Sequence, residues 1–225
     1  MALQTAGLVG VATLQDGAIA PPRQGKSAEL IVQELHGRFY EQVYRGNVFS
    51  IGCQLTPLSA ATILLTASAQ PIVGVWNPAN SGVNLIIMQA ALIDEINNVT
   101  SVAMGAFVWA SSVGNAALTA GLAPYNRKTM ASAGSQAKAF ALSTASLLTG
   151  LTNNLVVFDA AEFNTASGLL TTTVAAATPT PSVSGVQNFD GSLIVPQGGV
   201  LALLNTVSSV THSVAGRLLW EEVII

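Results

Sequence analysis

Charge is what this chain has least of. Only 8% of its 225 residues are Asp, Glu, Lys or Arg, eight basic against eleven acidic, for a formal net charge of −3. A soluble monomer carries about a quarter of its residues as charges. A chain this poor in them, and 50% hydrophobic, is expected to bury surface between subunits as well as inside one. The acidic balance excludes nucleic acid as the expected partner, because the few cations are scattered and form no basic stripe between aromatics.

Sulfur and imidazole are equally scarce. The single cysteine, Cys53, excludes an internal disulfide and a multi-cysteine metal site, and it reads as a small apolar core residue. His36 and His212 are too few for a metal cluster, and neither has a carboxylate at ligand spacing, so no metal and no cofactor is expected. His-Glu-x-x-His, Gly-x-Ser-x-Gly and Gly-x-Gly-x-x-Gly are all missing. The segment Ala20-Pro21-Pro22-Arg23-Gln24-Gly25-Lys26-Ser27 imitates a phosphate-binding loop, with Asp159 after an apolar run as its magnesium partner. Pro21 and Pro22 remove two backbone donors where such a loop needs them, which argues against nucleotide hydrolysis. The acidic pairs Asp94-Glu95 and Glu221-Glu222 would point to opposite faces of a strand and form no catalytic dyad. The chain is therefore not expected to be an enzyme.

The opening Met1-Ala2-Leu3-Gln4-Thr5 has neither a basic start nor a long apolar run, so no secretory leader is expected. Residues 101–123 are free of charge but rich in Ala, Gly and Ser, and they read as strand and loop rather than as a membrane span. No membrane partner is expected.

What the chain does have is β-pattern. Val48–Leu55, Pro71–Trp76, Val83–Ile93, Val102–Ala110, Leu155–Phe158 and Thr171–Val174 are short β-rich runs separated by Pro, Gly and Asn. Val83–Ile93 is apolar on both faces, as in a strand lying between two layers or between its sheet and another subunit. Leu193–Val195, Pro196-Gln197-Gly198-Gly199 and Val200–Leu204 give a hairpin signal. The last run alternates: Val214, Gly216, Leu218 and Trp220 share the dry side, while Ser213, Ala215, Arg217 and Glu221 share the other, with Leu219 the exception. Residues 111–153, with the basic knot Arg127-Lys128 and Lys138, are expected to form long loops and short strands.

The N-terminal part is different. Residues 1–26 are broken by Gly and Pro into an arm, either a free leader or a segment tied down by a neighbour in an assembly. Residues 28–44 fit a hairpin turning at His36-Gly37, with Arg38, Tyr40, Gln42 and Tyr44 on one face; a helix capped by Ser27 and ended by Gly37 is the other option, and the alternation favours strands. The expected fold is all-β: a jelly-roll-like β-sandwich over 48–225 with an extended N-terminal arm and hairpin over 1–47.

Three segments add a resemblance: Arg23–Val32 with His36–Phe49, Asn77–Leu85, and Ile194–Leu201 with Thr211–Val223. Together they resemble structural proteins of tailed-bacteriophage virions, in particular jelly-roll capsid cement or decoration proteins. The resemblance implies a homotrimer that stabilises the head by gripping neighbouring subunits of the major capsid protein or other virion proteins. It implies assembly in the host cytoplasm and residence in the virion. A head-fibre or tail-associated protein contacting the host surface is the alternative. Interface candidates on this basis are Arg23, Arg38, Tyr40, Tyr44, Arg45, Arg217 and Glu221.

Overall fold

A computed structural model describes residues 39–57, 71–96, 107–115, 121–141, 151–163, 165–166, 182–205 and 212–225. Contacts divide the chain into two units, 1–41 and 42–225. Of the first, the described residues are Phe39, Tyr40 and Glu41.

The second unit is built from strands: β1 Val48–Pro57, β2 Val73–Trp76, β3 Val83–Ile96, β4 Phe107–Ser112, β5 Tyr125–Asn126, β6 Lys138–Ala141, β7 Val156–Ala160, β8 Thr165–Ala166, β9 Ser182–Val195, β10 Val200–Asn205 and β11 His212–Ile224. Six form one sheet in the order β5-β1-β11-β3-β9-β8, and five form the other in the order β6-β2-β10-β4-β7. Each strand pairs antiparallel with its neighbours. With the short β5, β6 and β8 set aside, the chain order within the sheets is first-last-third-sixth and second-seventh-fourth-fifth. That interleaving is the jelly roll, and it confirms an all-β sandwich.

The sandwich also explains its own core. Phe49, Ile51, Val73, Val75, Leu85, Ile87, Trp109, Leu201, Leu203, Leu218 and Trp220 close the space between the sheets. The five-stranded sheet is dry on its second face too, where Trp76, Ala110, Phe140, Val200, Ala202 and Leu204 pack with Leu155. The doubly dry pattern expected of β3 is found here instead. In β3, Leu85, Ile87, Ala90 and Leu92 are buried, but Ile93 on the outer side is exposed. As expected, Trp220 points into the core, and Cys53 packs there with it.

Three expectations are corrected. Residues 40–45 are not a strand: Tyr40–Arg45 is helix α1, with Glu41 in its first turn and Arg45 in its last. Gly46, at φ +82°, reverses the chain there, and Gly46 N–H and Asn47 N–H donate to the carbonyls of Val43 (3.0 Å) and Gln42 (3.2 Å). The Pro196–Gly199 turn is not a hairpin. It carries the chain from β9 in one sheet to β10 in the other, as Asn77–Gly82 carries it from β2 to β3. The run Leu193–Val195 is not a short strand of its own but the end of one long strand, β9, whose register slips opposite Ile87 and Gln89. The proposed strand at 171–174, the sequence at 1–38 including His36 and Lys26, and residues 102–106 lie outside the described residues.

The corners between sheets are held by buried amides. Asn77 is fully buried, and its Nδ2 donates to Val83 O (2.8 Å) and Val195 O (3.1 Å), joining both corners through one side chain. Its backbone is bonded to the same turn, with Asn77 N–H donating to Gly199 O (2.9 Å) and Gly198 N–H donating to Asn77 O (2.8 Å). Asn115 does similar work nearby: its Oδ1 accepts from Thr152 N–H (2.9 Å), and its backbone N–H donates to Gly198 O (2.9 Å). A chain turning between layers leaves carbonyls that no ladder can satisfy, and these amides satisfy them.

Candidate interaction surfaces

Among the described residues no group of three or more His, Cys, Asp or Glu is placed to hold a metal ion. No described helix is long and apolar enough to cross a membrane. Cys53 is buried; desolvation pushes its thiol up to about 11, and its Sγ lies 3.8 Å from Val214 O. A protonated, enclosed thiol is a poor nucleophile. Asp159 stands on β7 at the outer edge of the five-stranded sheet, exposed like the whole strand. His212 is the first residue of β11, paired with Ile96.

Two flanks of the sandwich carry the exposed chemistry. One is formed by β5, β6 and the end of α1. Asn126 organises it: Nδ2 donates to Gly46 O (2.7 Å), while Oδ1 accepts from the N–H groups of Lys128 (2.9 Å) and Thr129 (3.3 Å). Arg127 N–H donates to Val48 O (2.9 Å), fixing the loop to β1. The loop therefore displays its side chains from a bonded frame. Met130 sits in the left-handed region at φ 57° and is 83% exposed. The Lys128 ammonium lies 4.7 Å from the ring centroid of Tyr44, itself 54% exposed, a cation–π contact at the surface. Tyr125 is exposed beside them.

The same flank is braced from below by a buried carboxylate. Glu222 Oε2 accepts from Gln136 N–H (3.0 Å), and Oε1 accepts from Ser135 Oγ–H (2.5 Å), Ala137 N–H (3.4 Å) and Trp220 Nε1–H (3.5 Å). Its neighbour Glu221 is half-buried; desolvation raises its pKa, and the nearby Arg45 guanidinium lowers it in part. The two acids thus do face opposite ways, as strand alternation requires.

The other flank is formed by β7 and β9. All five residues of β7 are exposed, including Val156 (64%) and Phe158 (47%). Among the described residues, strand β7 pairs with β4 alone and ends the sheet. A groove of about 180 Å³ runs beside it, lined by Phe158, Val113, Leu193, Ile194, Pro196 and Val200 among others. The opposite edge of this sheet is capped, because Leu122 exchanges both hydrogen bonds with Ala139 of β6 (2.7 and 3.0 Å).

The structure thus brings Tyr44, Arg45 and Glu221 of the predicted set to one flank. Arg217 lies exposed on the outer face of the six-stranded sheet, donating from Nη2 to Gln89 Oε1 on the adjoining β3. Tyr40 is exposed on α1, and Arg23 and Arg38 lie outside the described residues. Missed were Tyr125, Met130 and the Val156-Val157-Phe158 edge. The last carries a signal in the sequence: Val156, Val157 and Phe158 are three consecutive large apolar residues in the expected strand Leu155–Phe158. Compared with known proteins, the chain matches no family model, no curated protein and no solved structure.

Proposed function

We propose that this protein is a structural subunit of a tailed-bacteriophage virion, a trimeric cement protein that stabilises the head by binding neighbouring capsid subunits. The observation that carries the reading is the edge strand β7, which exposes Val156, Val157 and Phe158 beside an apolar groove. Exposed apolar edges of this kind are aggregation sites unless another chain covers them. The resemblance of 23–32 with 36–49, of 77–85, and of 194–201 with 211–223 to virion proteins supplies the setting. The low overall charge suits a chain whose surface is shared with neighbours. The role is one of binding, with no reaction.

Purified protein mixed with undecorated phage heads tests this. Saturable co-sedimentation at physiological salt, with the protein covering the shell, is the expected result. Absence of binding, or label confined to a fibre or tail, overturns it.

A further inference from the structure

We propose that copies of this chain associate side by side, the β7 flank of one against the β5–β6 flank of the next. The inference rests on the self-assembly in the reading above and names the surfaces that carry it.

The two flanks are chemically opposite. The β7–β9 flank exposes Asp159 and Glu162, with Asp190 on the bulge of β9. The β5–β6 flank exposes Arg127, Lys128 and Lys138. Two acids do accompany these cations, but Glu222 is buried and bonded to the 135–137 backbone, and Glu221 faces Arg45. Of the five described cations, four (Arg45, Arg127, Lys128 and Lys138) stand exposed on this side. Strand order separates the flanks: β5 and β6 begin their sheets at one side, and β7 and β8 end them at the other.

Each flank also offers the apolar part of an interface. Val156, Val157 and Phe158 stand on one, Tyr44, Tyr125 and Met130 on the other. Aromatic residues, Met and Arg are the side chains enriched at protein interfaces. Joining like flanks would oppose acid to acid or base to base. Joining unlike flanks pairs both the charges and the apolar groups. A contact between two different patches of one chain is heterologous, and it closes into a ring when the rotation allows. A second copy is thus the occupant of the β7 edge.

Charge reversal tests it, read as mass by light scattering on gel-filtered protein over a concentration series. Arg127→Glu with Lys128→Glu, and separately Asp159→Lys with Glu162→Lys, should each weaken association roughly tenfold or more. All four together exchange the flank charges and should restore the wild-type mass. Because the four side chains are exposed, unchanged thermal unfolding serves as the control for fold. The inference is overturned if either pair leaves the mass unchanged, or if the fourfold variant associates no better than the pairs. Head binding by wild-type protein is read separately, so flanks that fail this test while the protein still decorates heads would leave the proposed function standing.

Discussion

Trp109 Nε1 donates to Gln187 Oε1 at 2.8 Å, a hydrogen bond that crosses from β4 in one sheet to β9 in the other. Trp109 is completely buried, and Phe189 meets its ring edge-on at 5.4 Å, so the indole is fixed on two sides by β9. Glu162 N–H also donates to Gln187 Oε1, at 3.3 Å. Gln187→Leu leaves the indole N–H without a partner inside the core. The expected loss is about 1–3 kcal/mol in urea unfolding, with little change in the slope. An unchanged midpoint would mean that the layers do not depend on this bond.

Asn77 makes a comparable prediction for the corners. Asn77→Ala removes both Nδ2 donors: Val195 O loses the Asn77 bond, and Val83 O keeps the longer one from Ser81 Oγ (3.3 Å). The expected cost is about 1–3 kcal/mol, from the loss of two buried hydrogen bonds at the corners. Asn77→Asp should be no milder, since a carboxylate offers these carbonyls no donor when ionised. Thermal unfolding of the two variants measures this.

Glu222 should matter more than its neighbour. Glu222→Ala frees the 135–137 backbone and empties a buried site, with an expected loss of about 2–4 kcal/mol. Glu221→Ala removes a half-buried carboxylate whose desolvation offsets its attraction to Arg45, and should change stability by less than about 1 kcal/mol. Urea unfolding of the two variants side by side decides it; equal losses would contradict the assignment.

Cys53 gives a prediction in pH. Its thiol pKa is raised by burial from 9.0 to about 11, so the folded state holds the proton more tightly than the unfolded chain. That contribution to stability is complete below pH 9 and is lost as pH rises through about 11. Native protein at pH 8 should therefore resist thiol alkylation, while denatured protein reacts fully. Rapid labelling of the native state would place Cys53 at the surface.

Much of this fold is legible in the sequence because apolar runs and period-2 alternation are direct imprints of burial. That is how β1, β2, β3, β10 and β11 stand out, and why Trp220 was expected inward. Strand β9 is harder to see. Ser184, Val186 and Asn188 face outward, and Asp190 and Gly191 at positive φ break the alternation with a bulge. Turn chemistry also has a limit: Pro196–Gly199 encodes a reversal but not which sheet the next strand enters. Helix α1 is six residues long, and its Phe39–Tyr44 pattern alternates well enough to imitate a strand. Of the surfaces, Tyr44 and Arg45 were visible as exposed types, while the Met130 loop was not. Its frame depends on Asn126 bonding Gly46, eighty residues away in sequence.

The central claim is that this sandwich is a scaffold for assembly. The mass of the wild-type protein in solution, measured by light scattering at physiological salt, tests it most directly. The account predicts an oligomer near three times the 23.0 kDa of one chain. A single 23.0 kDa species persisting as concentration rises would contradict it.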